Sequence, residues 1–246
     1  MPSCMAPSLP IGTGPARGLR LPSGRMDDGS RELDETIAGC AAAHQRLLAD
    51  LDGLIDDEAR SPSLLPDWSI GHVLTHVARN ADSFVRVIEG AGRGEVVDQY
   101  EGGLASRAAD IEAGAGRAAE TLVDDVRRSI WRLESAWASA PAETWDGAGR
   151  VANGDLVRCT DLPFRRWREV EVHHADLGRP DFTIDDWSEG YVRRELRLQT
   201  MVLKSRLPMG VGTDLPPAAL ALTPNRRVAW LLGRLRDESL PVIPSF

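Results

Sequence analysis

What most constrains this chain is a spacing: from about residue 32 onward its apolar residues recur every three or four positions. Along 35–55, Ile37, Cys40, His44, Leu47, Leu48, Leu51 and Ile55 follow this rhythm. At about 100° per residue, such a rhythm gathers them on one face of an α-helix. A second stripe, Ile70, Val73, Leu74, Val77, Phe84 and Ile88, follows Asp67 or Ser69 as N-cap and should stop at Gly90 and Gly92. A third runs over about 104–139 through Leu122, Val126, Ile130, Leu133 and Trp137. The fourth begins at Thr160 or Asp161, carries Pro163 in its first turn, and ends near Leu177 before Gly178 and Pro180. Four long amphipathic helices predict a mainly α protein with a four-helix bundle over residues 31–180.

The two ends read differently. Residues 1–30 are rich in Pro, Gly and Ser without periodicity, which predicts a disordered leader. Met26, followed by an acidic patch, is an alternative start. Residues 181–246 predict a small C-terminal domain, helical or small α/β, with a helix over 187–206 and a short one around 225–236. Pro208, Gly210 and Gly212 break the segment between them.

Composition excludes several function classes. With 29 basic against 37 acidic side chains the net charge is −8, a poor match to a phosphate backbone, so nucleic acid is not an expected partner. No apolar run approaches the ~20 residues of a membrane span, and the N-terminus lacks a signal peptide's apolar segment. Cys4, Cys40 and Cys159 form no CxxC pair or disulfide framework. A cytoplasmic protein is the expectation.

Four of the five histidines fall in two helices: His72 and His76 in the second, His173 and His174 in the fourth. Glu169 and His173, four residues apart, lie about 40° from each other on a helix, one turn above the other. They share their stripe with Leu162, Arg166, Val170 and Leu177. A carboxylate and an imidazole on an inward face are costly to bury unless something pairs them, and a metal ion does so. One further ligand from a facing helix would leave an open coordination position. His76 borders the second apolar stripe beside Asn80, while His72 lies further toward solvent. The helical wheel favours His76 without excluding His72. Asp176 and Asn80 are candidates to hold an imidazole tautomer.

Two motifs then become recognisable together. LPDWSIGHVLTHVARNAD (65–82) and RRWREVEVHHADLG (165–178) resemble the paired helices of the mycothiol-dependent maleylpyruvate isomerase family, a branch of the DinB-type metalloenzymes. VAWLLGR (228–234) is similar to the end of that branch's C-terminal domain. The resemblance implies a DinB-like four-helix bundle whose ligands are His76, Glu169 and His173, holding a divalent metal, zinc first among the candidates. It implies mycothiol as the low-molecular-weight thiol, a small-molecule substrate, and a monomer or homodimer. The implied activity is cis–trans isomerisation of maleylpyruvate to fumarylpyruvate. Arg234 in LLGR best matches the family's cleft-facing arginine, with Arg226 and Arg227 as competitors, and it would hold a substrate carboxylate. The C-terminal segment is shorter than in the longer members, which bears on that assignment. Two rivals remain: a mycothiol S-transferase acting on electrophiles, and a non-enzymatic metal-stabilised binding protein with a fourth ligand from His72 or Asp176.

The other residues read as structure. Cys40 belongs to the core, and the tryptophans, Trp68, Trp167, Trp187 and Trp230 among them, to packing. The charges over 107–129 predict a solvated helix face. Arg166, on the inner stripe, is left between structural pairing and anion binding.

Overall fold

A computed structural model of the chain describes residues 24–206 and 215–241. In chain order it forms helices α1 (Gly24–Asp50), α2 (Asp56–Arg60), α3 (Ile70–Gly92), α4 (Gly103–Ala115), α5 (Ala119–Ser139) and α6 (Ala142–Trp145). A small antiparallel hairpin follows, β1 (Ala148–Arg150) and β2 (Leu156–Arg158), with Gly149 opposite Val157. Helices α7 (Leu162–Asp176), α8 (Glu189–Arg206), α9 (Pro217–Ala221) and α10 (Pro224–Leu231) complete the chain. No helix among the described residues is long and apolar enough to cross a membrane.

The expected mainly α fold is the one observed. Helices α1, α3, α5 and α7 make the bundle: α3 packs most extensively on α5 and α1 on α7, while α3–α7 and α1–α5 contacts close the ring. Their stripes merge into one core that includes Cys40, Leu47, Leu74, Leu122, Val126, Leu133 and Val170. A second cluster, Ala219, Trp230, Leu231 and Leu240, forms where α10 packs on α8.

Several boundaries differ from expectation. Helix α1 starts at Gly24, inside the supposed leader, and ends at Asp50 because Gly53 (φ +76°) turns the chain. Residues 1–23 and the breaker segment Pro208–Gly212 lie outside the described residues. The third helix is two: the chain reverses over 116–118, and the amide of Ala119 then receives a cap from Asp56 Oδ1 (2.7 Å) on the distant α2. Helix α3 passes through Gly90 to Gly92, and Gly94 (φ +75°) follows its end. Neither Thr160 nor Asp161 caps α7 with its side chain, since the helix is entered from a 3₁₀ turn over Cys159–Asp161. Helix α10 stops at Leu231, short of the expected 236. Trp131 is 69% exposed and so escapes the packing role expected of the tryptophans.

One close approach fixes how α1 meets α7. A Cβ placed on Gly39 would lie 2.2 Å from the Trp167 ring, which is buried and tethered by its indole N–H to Glu171 Oε1 (2.9 Å). Gly39→Ala must therefore push the two helices apart, at a cost of ~1–3 kcal/mol. A protein of this size should melt ~2–10 °C lower. An unchanged thermal midpoint by circular dichroism would refute the contact.

Candidate metal centre

Helix α3 supplies His76 because Ser69 fixes its start. The Ser69 hydroxyl accepts from the amide of His72 (3.3 Å), and the amide of Ser69 donates to His72 Nδ1 (3.1 Å). His72 thus completes the helix cap, and its Nε2 faces Glu112 (3.3 Å) rather than the bundle. One turn later His76 is buried and turns inward. Its ring stands edge-on to Trp68 at 5.8 Å and to His173 at 4.5 Å.

Helix α7 brings the other two groups. His76 Nε2 donates to Glu169 Oε2 (2.9 Å), and His173 Nε2 lies 3.5 Å from the same oxygen. One donor atom from each of His76, Glu169 and His173 lies within 4.8 Å of the others; no other such group of His, Cys, Asp and Glu occurs among the described residues. His173 Nδ1 donates to Asp176 Oδ2 (2.9 Å), which fixes the ring with Nε2 facing Glu169. Asn80 holds neither imidazole, because its Oδ1 accepts from Arg166 (2.8 Å). His174 points away, bonded to Asp50 (3.1 Å) and stacked on Phe182 at 3.7 Å.

The electrostatics follow from this packing. Burial, reinforced by the His173 charge, pushes His76 down to about 4, so it is neutral at pH 7. Burial works to raise Glu169, but hydrogen bonds from His173 and His76 outweigh it and hold the carboxyl well below the usual range. Burial works to lower His173, and its bonds to Asp176 and Glu169 more than reverse that. Two imidazoles and one ionised carboxylate suit zinc, iron, nickel or manganese. The fit requires one adjustment. Arg107 donates to His76 Nδ1 (2.9 Å), so the proton sits on Nε2. Coordination through Nε2 moves that proton to Nδ1, and a guanidinium has no lone pair to accept it. Arg107 must then release the ring.

Arg234 reaches this site through a reversal of the chain after α10. Gly233 (φ +70°) donates to Trp230 O (3.0 Å) and the Arg234 amide to Ala229 O (2.7 Å), a Schellman cap that favours a left-handed glycine. The Arg234 fork then grips Asp176 from Nε (2.8 Å) and from a terminal nitrogen (3.0 Å). Its competitors lie elsewhere: Arg226 pairs with Asp185, and Arg227 donates to the carbonyls of Ala219 and Leu222. Removing Asp176 frees both His173 and Arg234. Asp176→Ala should weaken metal affinity ~10–100-fold in a chelator competition. Unchanged affinity would mean that His173 needs no such support.

The cluster opens on a cleft of about 1640 Å³ bordered by Val172, Leu198, Trp230 and Arg234, with a smaller compartment of about 390 Å³ beside Tyr100 and Arg107. Basic residues line both, against the acidic balance of the whole chain. Arg107 corrects the expectation of a solvated face over 107–129, as does Asp125, which is buried between Arg79 (2.7 Å) and Arg117 (2.8 Å).

Comparisons with known proteins agree with this architecture. The crystal structure of the mycothiol-dependent maleylpyruvate isomerase superposes with a TM-score of 0.76 at 23% identity, over 87% of this chain and 97% of that one. A histidine-to-alanine mutant of that isomerase gives 0.76 at 22% over the same shares. At such identity the likeness is one of fold. No curated protein sequence matches the chain. A family model, the mycothiol maleylpyruvate isomerase N-terminal domain, matches residues 40–178, which contain all three donors and the whole bundle from mid-α1 to the end of α7. The chain belongs to the mycothiol maleylpyruvate isomerase N-terminal domain family.

Proposed function

We propose that this protein is a thiol-dependent cis–trans isomerase of maleylpyruvate, with mycothiol as the thiol and a divalent metal, zinc first, held by His76, Glu169 and His173. The observation that carries the reading is a three-donor cluster at the floor of an arginine-lined cleft. No fourth protein ligand closes it among the described residues: His72 is spent on the helix cap, and Asp176 on His173 and Arg234. A closed structural site would need such a ligand, which speaks against the metal-stabilised binding protein.

When bound, the metal would supply the positive charge that keeps a thiol ionised at neutral pH. The chemistry is then an addition and a reversal. The thiolate forms a C–S bond to one alkene carbon while the π electrons move onto the conjugated carbonyl. The former double bond rotates, and expulsion of the thiolate restores it in the trans form. Asp176 and Arg234 hold the His173 ring in one tautomer throughout. The outward N–H groups of Arg234 face a substrate carboxylate, which orients the acid during rotation. Cys40 plays no part, because burial pushes its thiol far above the ordinary range.

The test is an assay of zinc-loaded protein on maleylpyruvate with and without mycothiol, following thiol concentration as well as product. Isomerisation that requires the thiol and leaves it unconsumed is expected. Consumption of one thiol per product would assign an S-transferase, and inactivity with thiol present would reject the isomerase.

A further inference from the structure

Helix α7 carries more cationic charge into the cleft than the three donors use. Arg165 stands four residues before Glu169, so both project from the same side of the helix. Its side chain lines the large and the small compartment, together with Asn153, Arg168, Glu169 and His173. Of the neighbouring arginines, Arg168 is committed to the buried Glu195 (2.8 Å) and Arg234 shares its fork with Asp176 (2.8 Å), while Arg107, on His76 here (2.9 Å), is released into the smaller compartment when a metal binds. Arg236, at the rim, is exposed. Arg165 is half-buried and makes no hydrogen bond or ion pair with any described residue.

A guanidinium keeps its proton at neutral pH even where its surroundings oppose the charge. Here they do on balance: burial, and then the adjacent Arg168 charge, outweigh the favourable fields of the Asp161, Asp155 and Glu169 carboxylates. A half-buried guanidinium with no hydrogen-bonded partner can accept an anion at little further desolvation cost. The planar fork matches a carboxylate, with two parallel N–H···O bonds.

We propose that Arg165 is the carboxylate anchor of this cleft, binding one end of a diacid substrate at a fixed distance from the donor cluster. The proposal rests on the isomerase reading for its substrate. Maleylpyruvate carries a carboxylate at each end, and rotation about its former double bond requires one side of that bond to stay while the other swings. The Arg234 fork is already shared with Asp176. Arg165, on a helix packed into the bundle one turn from Glu169, is placed to hold the stationary side.

The probe is maleate, a short cis-diacid, titrated calorimetrically without thiol into zinc-loaded wild type, Arg165→Gln and Arg165→Lys. Arg165→Gln should bind maleate at least ~10-fold more weakly, with metal content and melting temperature unchanged. Arg165→Lys should recover part of the loss, as a single cation without the fork. With maleylpyruvate and mycothiol, Arg165→Gln should raise KM by a similar factor and leave kcat within ~3-fold. Equal maleate affinity in wild type and Arg165→Gln, or no maleate binding by wild type, overturns the anchor. If maleate binding depends on Arg165 but maleylpyruvate is not isomerised, the anchor stands and the isomerase reading falls.

Discussion

Glu169→Ala is expected to lose its stoichiometric metal and to lower thiol-dependent isomerisation by at least ~10³-fold, the several kcal/mol that a metal contributes to such chemistry. Glu169 is the one anionic donor, and both imidazoles lean on it: His76 by a 2.9 Å hydrogen bond, His173 at 3.5 Å from the same oxygen. Without it, two neutral rings face a dication unaided. The protein should still fold, because the carboxylate borders the cleft rather than the apolar core. The control is His72→Ala. Its ring completes the α3 cap and faces Glu112, so metal content should hold while stability drops by ~1 kcal/mol. Metal analysis and turnover on both variants decide the matter. Bound metal and activity in Glu169→Ala, or metal loss in His72→Ala, would reverse the assignment of donors.

His72 and His76 also show what the sequence made legible. Their helix was evident from its apolar period, and the wheel leaned toward His76. The stronger discriminator was local: Ser69 and His72 stand three apart, the spacing at which an N-cap serine and a side chain at the third helical position satisfy each other's amides. Glu169 and His173 were legible because four-residue spacing on an apolar stripe puts two polar groups on one inward face. The α4–α5 break was missed although Gly114 and Gly116 mark it, because the contact that fixes the turn comes from Asp56, some sixty residues away in sequence. The hairpin was missed because three-residue strands carry too few side chains to alternate, although Asn153–Gly154, with Gly154 at φ +87°, is a turn signal. Arg107 and Arg165 were hidden by residue type. A helical arginine is ordinarily solvated, and only the three-dimensional closure of α4 over α3 and α7 over the cleft gives these two a different setting.

Arg166, left open between pairing and anion binding, is buried beneath the bundle and serves its own neighbours. Its Nε donates to His44 Nε2 (3.1 Å), and one terminal nitrogen donates to Asn80 Oδ1 and Val77 O (both 2.8 Å). His44 in turn donates from Nδ1 to Glu134 Oε1 (2.8 Å). Arg166→Ala should destabilise the fold by ~3–5 kcal/mol, through a large cavity and the loss of the donor to His44 Nε2 and Asn80 Oδ1. Arg166→Met should cost less, because it refills the volume and removes a buried charge that touches no carboxylate. The pH dependence separates packing from charge. Burial, with the Arg166 charge adding to it against the Glu134 bond, pushes His44 down to about 4 from 6.5. The unfolded chain therefore takes up this proton as pH falls through 6.5 while the folded one does so only near 4. Stability is complete above 6.5 and is lost across that window, by up to ~3 kcal/mol for this group. In Arg166→Met the neighbouring cation is gone, His44 protonates more readily, and the acid loss shrinks. Urea midpoints for the two proteins at about pH 7 and about pH 5 measure it, and His76 and His174 contribute equally to both. A loss of the same size in each would mean that Arg166 acts on this core by volume alone.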